Sequence, residues 1–311
     1  AVEEAREQVA ARLGEDPTEV VLTGGGTEAD NLAVLGLYRA RRAADPARRR
    51  VVVSAVEHHA VLDAAAWLAR HEGAELVLLP VDAAGRVDPD ALAADLAAHA
   101  GETALVSVMW ANNEVGTVQP VAEVAHVARA LGVPVHSDAV QAVGVLDVDL
   151  AAAGLDALTV SAHKVGGPVG VGALLLRRDV EVAPLVHGGG QERGLRSGTV
   201  PAALAAAFAA AVEEAVRDRA AEAARVAALR DALVAGLLRE VPDAVVRGPW
   251  PPAEGAAGPD RLPGNAHVTV PGCDSEALLF LLDSAGVAAS AGSACQAGVQ
   301  QVSHVLTAMG V

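Results

Sequence analysis

Several residue types are scarce in this sequence, and each shortage excludes a class of protein. Only 2 of the 311 residues are cysteine, too few for the disulfide framework of a small secreted domain. No uncharged apolar run reaches about 18 residues, and we find no signal peptide, so we expect no membrane span. Net positive charge is absent: the formal charge is −16, which argues against nonspecific nucleic-acid binding. The sequence therefore predicts a cytoplasmic protein with reduced thiols.

Aromatic side chains are also rare, at 2% of the residues, although 52% of the residues are hydrophobic. The core must therefore consist mainly of Ala, Val and Leu. A chain of 311 residues is long enough to bury a large core of that kind.

Short apolar runs alternate with helical patterns along the first 200 residues. Runs such as EVVLTG and RVVVSA are each followed by an amphipathic stretch, which is typical of βαβ units. The sequence predicts an α/β fold with a mostly parallel sheet. We expect a large domain over residues 1–200, a linking helix over 201–240 and a smaller α/β domain over 241–311.

Five of the predicted strands end in polar or titratable residues. Because ligands collect at the carboxyl ends of parallel strands, five such ends at one sheet edge indicate a binding site. The residues that follow the strands are Gly25-Gly26-Thr27, Glu57-His58-His59, Asn112-Asn113-Glu114, Asp138 with Gln141, and His163-Lys164.

The residue types at these strand ends match the needs of pyridoxal phosphate. A glycine turn before a helix binds phosphate, provided that Glu28 and Asp30 point away. A sequestered lysine has a lowered pKa and forms Schiff bases, and an aspartate pairs with a pyridinium nitrogen. Histidine can stack on the ring, and asparagine can donate a hydrogen bond to the phenolic oxygen.

Other interpretations of these residues stay open on the sequence alone. Lys164 could be a surface residue in a β-turn, and Thr27 could cap an ordinary helix. A metal site built from His58, His59, Asp138 and His163 is a further alternative. It accounts for neither Lys164 nor the glycine turn.

Two further stretches carry candidate residues. Cys295 lies in ASAGSACQAGVQQ, where the small neighbouring residues would leave its thiol exposed. Such a thiol is either reactive or a surface residue without a function. Cys273 has no special sequence context and is interpreted as incidental. The glycine-rich segment from His187 to Pro201 contains Arg193 and Arg196. It suits a phosphate contact, a subunit contact or a solvated loop.

Seven motifs follow one another in the order found in a known family. The chain resembles the cysteine desulfurases of the NifS/IscS type, which belong to the class V aminotransferases and have the type I fold of pyridoxal-phosphate-dependent transferases. The resemblance covers nearly the whole chain. The motifs are TGGGTEADN, VEHHAVLD, ANNEVGTVQP, HSDAVQAVG, SAHKVGGPVGVGALL, HGGGQERGLRSGT and SAGSAC.

The resemblance implies a role for each candidate. Lys164 would carry the cofactor, His58 would stack on its ring and handle protons, and Cys295 would be the nucleophile, so these three are the implied catalytic residues. Asp138 would pair with the ring nitrogen, and Thr199 would reach the phosphate of a neighbouring subunit, which implies a homodimer. The implied cofactor-binding residues are Gly26, Thr27, His58, Asn113, Asp138, Gln141, Ser161, His163, Lys164 and Thr199.

The implied reaction converts L-cysteine to L-alanine, with the sulfur held as a persulfide on Cys295. An acceptor protein, either an iron–sulfur scaffold or a tRNA-thiolation protein, would then take the sulfur. Alternatives are a related class V lyase or aminotransferase, such as a selenocysteine lyase, and a catalytically incomplete cofactor-binding chain. The last arises because family members have N-terminal and C-terminal segments that this sequence lacks, so we expect the small domain to be incomplete.

Overall fold

The computed structural model describes residues 1–252, 254–255, 258–292 and 303–311. Its main feature is a seven-stranded sheet in the order β1-β7-β6-β5-β4-β2-β3. The strands of this sheet are β1 (Val20–Thr23), β2 (Arg50–Ser54), β3 (Glu75–Leu79), β4 (Thr103–Ser107), β5 (Val135–Asp138), β6 (Ala157–Ser161) and β7 (Gly172–Leu176).

The sheet is mostly parallel, as the sequence predicts. Strands β2 to β6 pair in parallel, whereas β7 runs antiparallel to both of its neighbours, β1 and β6. The carboxyl ends of β1, β2, β4, β5 and β6 therefore lie at one edge of the sheet. This edge carries the polar residues that follow the predicted strands.

Both faces of the sheet are buried, which explains why its strands are nearly continuous apolar runs. Successive side chains of a strand point to opposite faces. In β2, Val52 belongs to one hydrophobic cluster while Val51 and Val53 belong to the other. The sheet thus separates two cores.

Helices cover the two faces. The helices α2 and α3 pack on one face, and α1, α4, α5, the short α6 and the first part of α7 pack on the other. The helices over this region are α1 (Val2–Leu13), α2 (Gly26–Ala44), α3 (His59–Glu72), α4 (Pro89–His99), α5 (Val121–Ala130), α6 (Leu150–Ala153) and α7 (Ala202–Glu240).

Local sequence signals set several helix ends. Asp88 is the N-cap of α4, and its Oδ1 accepts a hydrogen bond from the Asp90 backbone N–H at 2.9 Å. Pro89 fills the first helical position, where no N–H is needed. Helix α2 ends at the cap residue Asp45, directly before Pro46.

The remaining elements follow α7, which spans 39 residues. Helix α9 packs its Val305 with Val56 and Val115 from the large sheet region. Among the described residues, no helix is both long and apolar enough to cross a membrane. These elements are β8 (Val245–Val246), β9 (Glu254–Gly255), β10 (Gly258–Pro259), β11 (Val268–Thr269), α8 (Ser275–Ser284) and α9 (His304–Ala308).

Candidate active site

The glycine turn after β1 lies against the ends of β5 and β6. A Cβ placed on Gly26 would lie 3.0 Å from Val140 Cγ2 and 3.4 Å from Ser161 Cβ. The turn therefore shares one location with Asp138, the last residue of β5, and with Lys164, three residues after β6. The sequence predicted that these residues meet, because the carboxyl ends of parallel strands lie at one edge of a sheet.

The turn leaves open space at the beginning of α2. Gly25 has a φ of 146°, and a Cβ there would meet no atom within 4 Å. Behind the turn, a Cβ on Gly172 would lie 2.9 Å from the Gly25 carbonyl carbon, so β7 can pack against the turn only with a glycine there. The first N–H groups of α2 have no partner within the helix, an arrangement that binds phosphate.

Asp138 is buried at the end of β5. Its Oδ1 accepts a hydrogen bond from the Val140 backbone N–H at 2.8 Å, which fixes the carboxyl group. Burial raises the pKa of Asp138 to about 6, while that hydrogen bond and the charge of Lys164 act in the opposite direction. A protonated ring nitrogen beside this carboxyl group would stabilise its charged form.

Lys164 ends the single helical turn Ala162–Lys164 that follows β6. Its side chain is exposed in the single chain, so the expected sequestration is wrong for that chain. His163, the preceding residue of the same turn, is exposed as well. Its charge still acts on the pKa values of both His58 and Asp138.

His58 is half-buried and caps α3. Its Nδ1 accepts a hydrogen bond from the Ala60 backbone N–H at 3.1 Å, so this nitrogen is unprotonated and the ring is oriented. Burial lowers the pKa of His58, and the charges of His59 and Lys164 lower it further. A neutral, oriented imidazole is suited to stack on an aromatic ring. His58 also lines an open groove together with Thr27 and Asn31.

The other predicted residues differ in their surroundings. Ser161 Oγ and His163 Nδ1 lie 2.9 Å apart, next to the glycine turn. Asn113 and Gln141 are half-buried after β4 and β5, and Thr199 is exposed on the glycine-rich loop. An exposed Thr199 is compatible with a contact to another subunit. Cys295 lies outside the described residues.

Two buried carboxyl groups near the site, Glu57 and Asp30, were given no role by the sequence analysis. Glu57 Oε1 accepts hydrogen bonds from Ser54 Oγ at 2.7 Å and from the Met109 backbone N–H at 2.6 Å. Burial raises the pKa of Glu57 to about 8 and also raises that of Asp30. The one sequence signal for Asp30 is its position on the apolar face of α2.

The beginning of α9 also reaches the sheet edge. Ser303 Oγ donates a hydrogen bond to Glu114 Oε2 at 2.6 Å, and His304 Nε2 lies 2.9 Å from the Glu57 carbonyl oxygen. The rings of His304 and His59 are 4.8 Å apart. The chain that follows residues 293–302 is thereby fixed beside His58. No pattern in the sequence indicated these contacts.

The donor set matches pyridoxal phosphate better than a metal ion. In the parts of the chain that the structure describes, no group of three or more metal-ligating side chains converges. The open glycine turn offers N–H groups for a phosphate, and the buried Asp138 offers a carboxylate for a ring nitrogen. Lys164 offers a primary amine. These residues would hold the cofactor.

Comparisons with known proteins agree with this site. The family model for Aminotransferase class-V matches residues 1–310. An IscS-like cysteine desulfurase from Mycobacterium tuberculosis is 56% identical over 310 residues, covering 100% of this chain and 77% of the relative. The cysteine desulfurase NifS from Azotobacter vinelandii is 42% identical over 313 residues, covering 100% and 74%.

A solved structure shows the same fold. A NifS-like protein superposes with a TM-score of 0.87 at 35% identity, covering 99% of this chain and 78% of that protein. The shared fold includes the sheet that forms the site, and the family match extends over all seven motifs. The chain therefore belongs to the class V aminotransferases, and within them to the NifS/IscS-type cysteine desulfurases.

Proposed function

We propose that this protein is a pyridoxal-phosphate-dependent cysteine desulfurase that converts L-cysteine to L-alanine. The observation that carries the proposal is the meeting of three groups at one sheet edge. These are the open glycine turn at Gly25, the buried carboxyl group of Asp138 and the amine of Lys164. Family membership supplies the substrate.

The cofactor, when bound, supplies an electron sink for the pair left behind by the substrate α-proton. Lys164 would hold the cofactor through its amine and would remove the substrate α-proton. Asp138 would keep the ring nitrogen protonated, and His58 would pack against the ring. Asn113 and Gln141 would bind the phenolic oxygen or the substrate.

The residues at the beginning of α2 would hold the phosphate of the cofactor. Gly26 and Thr27 would donate hydrogen bonds to it from the turn, and Ser161 and His163 would contact it from the end of β6. Thr199 completes the phosphate site of a second subunit, so the active form is a homodimer. The hydrogen-bond distance between Ser161 and His163 supports their acting together.

Cys295 performs the sulfur transfer. Its thiolate attacks the sulfur of L-cysteine, and a sulfur–sulfur bond forms as the carbon–sulfur bond breaks. The electron pair of that bond passes to the substrate Cβ, which is protonated before alanine leaves. The persulfide sulfur passes to an acceptor protein in the cytoplasm, an iron–sulfur scaffold or a tRNA-thiolation protein.

A product assay tests this proposal. Purified protein is incubated with pyridoxal phosphate, L-cysteine and a thiol reductant, and alanine and sulfide are measured together. We expect equal amounts of both products, loss of both in Cys295→Ser, and retention of both in Cys273→Ser, since Cys273 is exposed.

Labelling of the lysine separates the cofactor assignment from the sulfur chemistry. Lys164 is the only lysine in the sequence, so a pyridoxyl-lysine formed by borohydride reduction of the loaded protein can lie only at that position. Mass spectrometry of the peptides locates it. A protein that forms neither product and takes up no label would contradict the proposal.

A further inference from the structure

Glu28 raises an electrostatic problem for the proposed phosphate site. It lies in the first turn of α2, directly after Thr27. A free carboxylate there would repel a phosphate dianion and would compete with it for the N–H groups of the helix. Phosphate binding at the turn therefore required, on the sequence alone, that Glu28 point away.

The structure gives a different solution. The side chain of Glu28 folds back, and its Oε2 accepts a hydrogen bond from the Gly24 backbone N–H at 2.8 Å. Its Oε1 accepts one from Arg196 Nε, also at 2.8 Å. The Glu28 side chain is 29% exposed and that of Arg196 is 19% exposed, so water screens this ion pair only in part. Glu28 thus stays at the turn and is neutralised there.

Arg196 comes from the glycine-rich loop, 168 residues away in the chain. The loop also carries Thr199. The ion pair between Glu28 and Arg196 therefore joins the glycine turn to the loop whose Thr199 is proposed to contact the phosphate of the second subunit. It also keeps the carboxylate on the Gly24 N–H, away from the N–H groups of Gly26 and Thr27.

We infer that Arg196 is a positioning residue for the cofactor phosphate, which acts by neutralising Glu28 and not by binding the phosphate itself. The inference rests on the proposed placement of the phosphate at the glycine turn. It makes a specific claim about the variant in which both Glu28 and Arg196 are replaced. Removing Arg196 harms phosphate binding only as long as Glu28 carries a charge.

Cofactor affinity tests the claim. The apoprotein of wild type, Glu28→Gln, Arg196→Gln and the double variant is titrated with pyridoxal phosphate, and the dissociation constant is measured by absorbance. We expect Arg196→Gln to weaken binding by about tenfold or more. Glu28→Gln should bind at least as tightly as wild type. The double variant should return to within about threefold of wild type.

Two controls isolate the phosphate and the site. Pyridoxal, which lacks the phosphate, should bind all four proteins equally. Arg177→Gln removes another partly buried ion pair, with Asp156, at the opposite edge of the sheet, and should leave the affinity for pyridoxal phosphate unchanged. Circular dichroism melting verifies that each variant is folded.

The outcomes separate this inference from the proposed function. A double variant as weak as Arg196→Gln means that Arg196 binds the phosphate directly or only shapes the loop, and overturns the inference. Unchanged binding in Arg196→Gln overturns it as well. Thr27→Val tests the phosphate site itself. If Thr27→Val binds pyridoxal phosphate more weakly while Arg196→Gln binds it as tightly as wild type, only the present inference is refuted. If neither variant changes the affinity, the phosphate site is refuted too.

Discussion

Glu57 shows how burial sets the behaviour of a single carboxyl group at this site. It is fully buried beside His58, and its Oε1 accepts hydrogen bonds from the Ser54 hydroxyl and the Met109 backbone N–H. The raised pKa, about 8, means that the folded protein binds this proton more tightly than the unfolded chain does. Stability from this group is therefore present at low pH and is lost as pH rises towards 8.

We expect the melting temperature of Glu57→Gln to fall less, or to rise more, between pH 6.5 and pH 8 than that of the wild-type apoprotein. In this window Glu57 loses its proton in the folded protein, whereas His136, whose pKa burial lowers to about 3, loses its proton in the unfolded chain and acts in the opposite direction. The comparison with wild type isolates Glu57, whose effect over this window is on the order of 1 to 2 kcal/mol. Melting followed by circular dichroism measures it.

Glu7→Gln serves as the control, since Glu7 is exposed on α1. This variant should keep the wild-type dependence on pH. A Glu57→Gln protein with the same dependence as wild type would show that Glu57 is already ionised at neutral pH in the folded state.

The placement of residues at one sheet edge was more predictable than their environment there. The strand-end pattern pointed to Asp138, His58 and Lys164 because strand direction alone determines which ends share an edge. It could not indicate that Lys164 is exposed in the single chain, since the path of a three-residue turn is not encoded in periodicity. Nor could it pair Glu28 with Arg196, which are distant in sequence.

At the scale of elements, boundaries with strong local signals were predicted well. A helix, α7, occupies the segment 201–240 where the sequence predicts one, and the signals at Asp45 and Asp88 mark helix ends in the structure. The direction of β7 could not be predicted, because an apolar run has the same pattern in either orientation. The antiparallel pairing of β7 with β1 brings Gly172 behind the glycine turn.

Gly172 should be intolerant of any side chain. A Cβ there would lie 2.6 Å from the Val160 carbonyl oxygen and 2.9 Å from the Gly25 carbonyl carbon, and neither backbone group can move freely. We expect Gly172→Ala to lower the free energy of unfolding by about 2 kcal/mol or more and to weaken cofactor binding. Urea denaturation and absorbance titration measure the two effects.

Gly236→Ala is the matched control for this prediction. Gly236 lies within α7, and a Cβ there would meet no atom within 4 Å. Alanine should be neutral or should stabilise the helix by up to about 1 kcal/mol. Equal effects of the two substitutions would mean that the close approach at β7 does not constrain the turn.

At the scale of the whole molecule, one buried ion pair joins parts of the chain that are far apart in sequence. Glu192 of the glycine-rich loop accepts hydrogen bonds from Arg6 at 2.7 and 2.9 Å and from the Leu22 backbone N–H at 2.8 Å. Arg6 also donates to the Val20 carbonyl oxygen at 2.6 Å. Helix α1, strand β1 and the loop are therefore fixed to each other.

Removing Arg6 should destabilise the protein strongly. Arg6→Ala leaves Glu192, which is 1% exposed, as a buried carboxylate without its cation, at a cost of roughly 3 kcal/mol. Arg12 on the same helix pairs with Glu213 in solvent, so Arg12→Ala should not change the denaturation midpoint measurably. Similar midpoints for both variants would contradict a structural role for the buried pair.

Strand β1 lies at an edge of the sheet, and its neighbour there is β7. During synthesis, the strand that supports the glycine turn follows it by about 150 residues, which takes on the order of 10 s of translation. Until then, β1 lacks its partner strand β7. The glycine turn therefore gains the backing of Gly172 only after β7 has been synthesised.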